Sequence, residues 1–481
     1  MTTIKLDPGA ALLLDALHGA GHAAYAVGGC VRDSLLGLDP HDWDLCTSAR
    51  PEQVMALFGE EKCIPTGLQH GTVTVKQGGR LYETTTFRTE GAYSDGRHPD
   101  AVCFVPDVRE DLARRDFTIN AMAYSAEEGL IDPFGGRDDL AAHIVRAVGE
   151  PERRFEEDAL RILRLYRFAA RFGFAIDPAT GAAARALGPH LDCVSAERIQ
   201  EELLKLLAAP RPGSYLEPAV LAVVLPELEP EKQPERFAEL CRTIDRIEPT
   251  AENVPARLAA LLCPLGEAGA RKALRKLKCS NALTDEVTTL VGGSVGSFLL
   301  GHEFELRHPA DALCLERHSH PAGRCPNSNS LFPPQAAVVA VAGHSIARPI
   351  ACGNRVPPQR TVLGETPGTP NTTLTVRAKR LLGRYELPTI QRLTALCSAR
   401  HPEQAGAFAA LRAEAEQLTV ENACCRVSQL AVNGRDLMAA GVRPGPGLRQ
   451  VLNALLEAVI TGQTPNEKDA LLAAAAQFSA S

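Results

Sequence analysis

The sequence predicts an α/β head with a small mixed sheet, followed by an all-α remainder. Segments that read as strands fall in the first ~150 residues, and the strand signal fades from about 151 onward. From about residue 151 apolar residues recur with the 3.6-residue period of helices that bury one face. The chain is 481 residues long, about three times the ~150 of a usual single core, so it reads as modular.

In chain order, residues 1–150 give a helical stretch near 9–20, an apolar strand at 23–27, a glycine pair, a short helix, and a strand through Asp42–Thr47. Residues 71–77 and 80–87 form a hairpin joined by the two-residue turn Gly78-Gly79. Residues 89–101 are polar and contain glycine, the composition of a loop. A helical neck spans 151–215, a helical body 216–300, and a helical body and tail 377–481. Between them, 301–376 is proline-rich, with five His and no Lys, and reads as an irregular insert in which only AAVVAVA is apolar enough to pack.

Composition excludes several classes. With 51 Lys+Arg against 58 Asp+Glu the net charge is −7, so the chain is no globally cationic nucleic-acid coat, although a local basic groove is allowed. No apolar run reaches the ~18–20 residues of a membrane span. Asp15 and His18 break the first apolar run and no basic leader precedes it, so a cytoplasmic location is expected. The 14 cysteines then read as small buried hydrophobes. No CxxC pair occurs, which leaves Cys314, His318, His320 and Cys325 as the one conceivable zinc cluster.

The chemistry concentrates in YAVGGCVRDSLLGLDPHDWDLCTS. Gly28 and Gly29 let backbone N–H groups approach an anion where a strand turns into a helix, and Arg32 adds a forked donor suited to phosphate. Asp42 and Asp44 stand two residues apart, so in a strand both carboxylates project from one face. Held together they repel unless a cation neutralises them, which Mg²⁺ does with one or two carboxylates plus substrate phosphates. A solvated acidic strand edge has the same spacing. Glu83, on the neighbouring hairpin strand, either completes the set or faces solvent.

These residues resemble the signature of class II tRNA nucleotidyltransferases and bacterial poly(A) polymerases, within the polymerase-β-like superfamily. LARRDFTINAMAY at 112–124, IDPFGGRDDL at 131–140, EDALRILRLYRFAARFGF at 157–174 and AERIQEELLKLL at 196–207 follow in family order. The stretch from SQLAVNGRDLMAAG onward resembles the tail of CCA-adding enzymes. The resemblance implies Asp42 and Asp44 as metal ligands, Glu83 as third carboxylate, and Gly28, Gly29, Arg32, Arg115, Asp158, Arg161, Arg164 and Arg167 as nucleotide-binding residues. A full-length 89–101 loop is tied in such enzymes to the switch from C to A addition.

One helix is expected from about 155 to 171, carrying Asp158, Arg161, Arg164 and Arg167 as an i, i+3, i+6, i+9 ridge. A carboxylate only accepts hydrogen bonds and a guanidinium only donates. Cytosine and adenine both place an amino donor beside a ring-nitrogen acceptor, so one Asp–Arg pair satisfies either, whereas uracil and guanine present the reverse. Two mismatched groups at about 1–3 kcal/mol each would discriminate by about 10²–10⁴. The same ridge also fits a solvated basic helix face. The basic run RKALRKLK at 271–278 can meet RNA phosphates or simply solvent.

The sequence therefore predicts template-independent, Mg²⁺-dependent addition of CCA to tRNA from CTP and ATP. An A-adding or CC-adding enzyme and a poly(A) polymerase are the alternatives within the class, and a catalytically silent RNA-binding relative is the alternative outside it. No His-Asp phosphohydrolase motif is present.

Overall fold

A computed structural model describes residues 3–91, 102–295 and 370–479. Asp7 opens helix α1 (Pro8–Gly19) by accepting the backbone N–H groups of Gly9 and Ala10, at 2.9 and 3.3 Å. Then come β1 (Ala24–Val27), α2 (Gly29–Leu35), β2 (Leu45–Thr47), α3 (Pro51–Phe58), β3 (Cys63–Gly67), β4 (Thr72–Gln77) and β5 (Arg80–Thr86). A two-stranded ribbon, β6 (Arg88–Glu90) and β7 (Val102–Phe104), stands at the two ends of the expected polar loop, whose residues 92–101 lie outside the described residues. Next are α4 (Val108–Ala113), β8 (Ala123–Ser125), β9 (Gly129–Ile131), α5 (Gly136–Ala142) and β10 (Ile144–Val145).

The main sheet has the order β3-β4-β5-β2-β1-β8-β9, with β2 and β5 parallel and every other pair antiparallel. The expected hairpin is β4–β5. Its two-residue turn needs positive φ at both positions, and Gly78 and Gly79 supply +57° and +79°. Tyr25, Val27, Cys46, Phe87, Val108, Leu112, Ala121 and Ala123 form one buried cluster that seats α4 on the sheet. Strand β2 is shorter than expected: it begins at Leu45, so Asp42 and Asp44 occupy its lead-in rather than the strand. The ladder nevertheless starts at Asp44, whose carbonyl accepts the Val27 N–H at 3.0 Å.

The helical part begins with α6 (Pro151–Glu157) and α7 (Leu160–Phe172). The sequence predicted one helix here. The break falls at Asp158, whose backbone is extended (φ −147°, ψ 102°) and whose carboxylate caps the next helix by accepting the Leu160 N–H at 3.0 Å. Asp is a poor interior helix residue and a good cap, so the local preference wins and Asp158 leaves the expected ridge. After β11 (Ala175–Ile176), which pairs with β10, come α8 (Pro178–Ala186), α9 (Ala196–Leu207), α10 (Pro218–Val224), α11 (Pro234–Arg246), α12 (Val254–Leu262), α13 (Gly266–Lys276) and α14 (Asn281–Val295).

Helix α15 (Pro370–Arg384) begins inside the segment expected to be irregular, with a proline at its start where the missing N–H costs nothing. The rest of the 301–376 insert, its AAVVAVA run and the conceivable zinc cluster at Cys314, His318, His320 and Cys325 lie outside the described residues. Helices α16 (Leu387–Arg400), α17 (Ala405–Val420), α18 (Gly434–Ala439), α19 (Pro446–Ile460) and α20 (Lys468–Ser479) complete the chain. Leu437, Val451, Leu455, Val459 and Leu471 form the tail's own core. Residues 1–296 and 375–481 pack as one unit. Among the described residues all cysteines are free, and Cys30, Cys46, Cys63, Cys397 and Cys425 are buried.

Arg257 on α12 ties the neck to the body. It is fully buried and donates to four backbone carbonyls, those of Ile247, Leu207, Ala209 and Pro210. These lie at or just past the C-terminal ends of α9 and α11, where carbonyls lack helical partners. Replacing Arg257 with Met would leave those carbonyls dry and unpaired. It should lower the unfolding free energy by about 3–5 kcal/mol, measured by chemical denaturation.

Candidate active site

Trp43 is buried while Asp42 and Asp44 are exposed, so the two carboxylates leave the chain on one side as the i, i+2 spacing predicted. The parallel β2–β5 ladder registers Leu45 with Thr84, and one residue back on each chain brings Asp44 abreast of Glu83. Burial first, then the nearby charge of Glu83, pushes the Asp44 carboxyl up to about 6; Arg115 opposes the rise, and Asp42 adds the smallest contribution to it. Asp44 is open to solvent on one side, which screens part of the repulsion. Asp42 is 84 % exposed at its side chain and, among the described residues, its one hydrogen-bond partner is His41, at 3.1 Å. Among the described residues no three His, Cys, Asp or Glu side chains form a ready-made metal cage. Two crowded carboxylates at a surface do fit a hard divalent cation that completes its shell with phosphate oxygens and water.

Above the carboxylates the glycine pair and an arginine meet. Gly28 has φ +77°, and a Cβ there would stand 2.8 Å from the Arg115 guanidinium, so only glycine lets Arg115 lie across the start of α2. Asp111, fully buried, holds Arg115 at 3.4 Å and Arg114 at 2.8 Å. Arg32 is itself buried. Its fork donates to Asp33 and Asn120, and its guanidinium lies 5.3 and 4.8 Å from the ring centroids of Phe168 and Phe172.

A chain of buried charge continues from Arg32. Asn120 donates to Asp116 at 3.0 Å, and Arg164 of α7 donates twice to the same carboxylate, at 2.9 and 2.5 Å. Burial alone would raise the Asp116 carboxyl, but Arg164 and Asn120 hold it well below the usual range. Arg164 and Arg167 both face Glu202 of α9, at 3.9 and 2.6 Å, and at the other end Arg171 reaches Asp33 at 3.2 Å. Gly136, of the IDPFGGRDDL motif, supports the Thr118–Asn120 turn: a Cβ there would stand 2.2 Å from the Thr118 carbonyl, and Thr118 donates to Asp139 at 2.7 Å.

The structure therefore brings Gly28, Arg115, Asp42, Asp44 and Glu83 together around the central strands β1, β2 and β5, and Arg32, Arg164 and Arg167 to one charged seam beside them. Asp158 and Arg161 share a turn, but their side chains are bonded elsewhere. Asp158 accepts from Arg198 at 2.8 Å, while Arg161 donates to Glu157 at 2.8 Å and to the carbonyls of Arg154 and Arg114 at 3.2 Å. Sequence reasoning assigned no role to Asp33, Asp111, Asn120, Arg171, Arg198 or Glu202. Asn120 lies in RRDFTIN, Arg198 and Glu202 in AERIQEELL, Asp33 in GGCVRDS and Arg171 in the run from 157 to 174, while Asp111 lies in no motif; spacing does not reveal partners on other elements.

Because its folded-state pKa is raised, Asp44 disfavours folding wherever it must be charged, above about pH 6. That penalty fades as pH falls toward the ordinary carboxyl value of about 4. Asp44→Asn should therefore melt higher than the parent chain at pH 8 in chelator, and the gain should vanish by about pH 4 in thermal melts.

Three family profiles match the chain: poly A polymerase head domain over residues 24–146, probable RNA and SrmB-binding site of polymerase A over 173–231, and a putative tRNA nucleotidyltransferase domain 2 over 383–475. The CCA-adding enzyme of Levilactobacillus brevis is 34 % identical over 96 % of both chains, and that of Limosilactobacillus fermentum 32 % identical over 97 % of this chain and 96 % of its own. Among solved structures, the Bacillus stearothermophilus CCA-adding enzyme in complex with CTP aligns with a TM-score of 0.69 at 29 % identity, covering 98 % of each chain. The Thermotoga maritima CCA-adding enzyme complexed with tRNA shares the fold, with a TM-score of 0.61. Relatives of this name matching at 32 and 34 % identity over 96 % or more of both chains mean that the chain belongs to the CCA-adding enzyme family.

Proposed function

We propose that this protein adds C, C and A to the 3′ end of tRNA from CTP and ATP without a nucleic-acid template, in the cytoplasm and with Mg²⁺. The observation that carries the reading is the carboxylate face of Asp42, Asp44 and Glu83 set beside a row of arginines. No helix among the described residues is long and apolar enough to cross a membrane.

In the reaction, the RNA 3′-hydroxyl oxygen forms a bond to the α-phosphorus as the bond to pyrophosphate breaks in line. Asp42 and Asp44 would hold the divalent cation. When bound, it favours deprotonation of the 3′-hydroxyl and offsets charge on the phosphates. The backbone at Gly28 and Gly29 leaves room for the triphosphate to approach, and Arg115, Arg164 and Arg167 supply N–H donors to it. Arg32, already bonded to Asp33 and Asn120, acts by fixing α2 beneath them. Asp158 and Arg161 would read the base edge. Asp158 spends two of about four lone-pair sites on Leu160 and Arg198, and Arg161 keeps two of its five N–H groups, so both retain capacity for one base.

The proposed domains follow the chain: a head to 150, a neck from 151 to 215, a body from 216 to 300, and a body and tail from 377 to 481 that meet tRNA. Lys272, Arg275, Lys276 and Lys278, at the C-terminal end of α13, are exposed and form no ion pair among the described residues. In a protein of net charge −7, such a concentration of unpaired cations supports contact with RNA phosphates.

Incubation with tRNA ending before CCA, after C, or after CC, with CTP and ATP separately and together, should give C, C and A in order. Products limited to CC, to A alone, or to long A tails would assign the chain to a CC-adding, A-adding or poly(A) activity instead. Asp42→Ala and Asp44→Ala should each abolish incorporation while leaving a folded protein, and Asp158→Ala should relax the choice of base more than it weakens triphosphate binding. Reversing Lys272, Arg275 and Lys276 to Glu should raise KM for tRNA on the order of tenfold and flatten its salt dependence, with KM for CTP unchanged.

A further inference from the structure

His41 stands beside the carboxylates and takes no part in the proposed reaction. The chain bends at this residue, between the turn that ends α2 and the run Asp42, Trp43, Asp44. Trp43, 6 % exposed, anchors that run. The imidazole does not follow Trp43 inward: it is 96 % exposed, and its Nδ1 lies 3.1 Å from Oδ1 of Asp42. Among the described residues His41 has no other hydrogen bond or ion pair. So exposed a pair adds little to stability, and packing gives no reason for it.

The distance suits a second use. As it stands the contact is a hydrogen bond, and a divalent cation can take the place of the shared proton and be held by both atoms. Ligand bonds of about 2.0–2.2 Å meeting at a right angle set two neighbouring donors about 2.8–3.1 Å apart. The 3.1 Å between Nδ1 and Oδ1 is therefore the separation of two adjacent ligands on one octahedral ion. Two ligands are not a cage, and among the described residues no three-residue cage exists, so phosphate oxygens and water would complete the shell. A neutral imidazole also adds a bond without adding negative charge, which matters where Asp44 is already pushed up to about 6 by burial and Glu83. The kind of donor then decides which ion is favoured. Asp42, Asp44 and Glu83 offer only oxygen, which suits Mg²⁺. An imidazole nitrogen is softer and favours first-row transition ions, with affinity rising from Mn²⁺ through Co²⁺ to Ni²⁺.

We propose that His41 is a cation ligand of this site, bound through Nδ1 next to Asp42, and that its nitrogen makes the site prefer transition-metal divalent ions such as Co²⁺ over Mg²⁺. The proposal rests on the reading that Asp42 and Asp44 hold the cation. It extends that reading to a third ligand and to the choice of ion.

The test follows Mn²⁺, added alone to the full-length protein, by electron paramagnetic resonance, with spin-echo modulation reporting any nitrogen on the bound ion. The parent chain should bind Mn²⁺ with a nitrogen coupling, and His41→Ala should lose the coupling while keeping the ion. Displacement of the bound Mn²⁺ then gives the affinities for Co²⁺ and Mg²⁺. His41→Ala should weaken Co²⁺ binding by about tenfold or more and Mg²⁺ binding by less than about threefold. Equal losses for both ions, with no nitrogen coupling in the parent, would mean that His41 only steadies Asp42 through a hydrogen bond and would overturn the assignment. An unchanged Co²⁺ affinity, or a coupling that survives in His41→Ala, would overturn it too. Asp42→Ala separates this proposal from the reading beneath it. If Asp42→Ala binds Mn²⁺ as the parent does, or the parent binds none, the carboxylates do not hold the cation; if Asp42→Ala loses the ion while His41→Ala keeps the coupling, only the role of His41 fails.

Discussion

The structure depends on gathering a crowd of arginines, Arg32 and Arg167 among them largely shielded from water, without letting them repel each other apart. Arg32, Arg164, Arg167 and Arg171 gather within 5.4 Å of the ring centroids of Phe168 or Phe172. Such a cluster persists only because Asp33, Asp116 and Glu202 are interleaved with it. Buried ion pairs of this kind add little net stability, since desolvation offsets most of the attraction. Removing one member is a different matter, because it strands the others, and the seam is therefore all or nothing. In the proposed reaction its value would be placement, since donors held in a fixed array need no reorganisation when an anionic ligand arrives.

That requirement explains features of the head that look unrelated to chemistry. Asp116 and Asn120 must present their side chains to Arg164 and Arg32, so the turn between them is clamped from behind by Gly136 and Asp139. Gly28 must lack a side chain so that Arg115 can lie over the start of α2, within electrostatic reach of Asp44. The two halves of the site thus make opposite demands. At the carboxylate cluster, burial and the neighbouring Glu83 raise the Asp44 carboxyl, whereas the seam is neutralised internally by its own carboxylates.

Much of this was legible in the residues. The glycine turn of the β4–β5 hairpin, the shared side of Asp42 and Asp44, and the helical periodicity after residue 151 follow from local geometry, and the structure has them. Two readings failed for a local reason that was also in the sequence. Asp158 stops the expected helix because its side chain caps the next one better than it tolerates a helix interior, and β2 starts at Leu45 rather than at Asp42. The expected ridge from Asp158 to Arg167 was right in its arginines and wrong in its first member.

The sequence by itself determined the fold class, the family and the identity of the charged residues, because periodicity, turn chemistry and ordered motifs are properties of neighbours along the chain. Only the tertiary structure decided who partners whom. That Arg164 belongs to Asp116, Arg167 to Glu202, Asp158 to Arg198 and Arg161 to Glu157 depends on α7 being laid between the head and α9. Of these pairs only Arg161 and Glu157 are near neighbours in sequence, at i, i+4. The others span 40 residues or so, and a charge's partner at that range is set by packing, which the order of residues does not display.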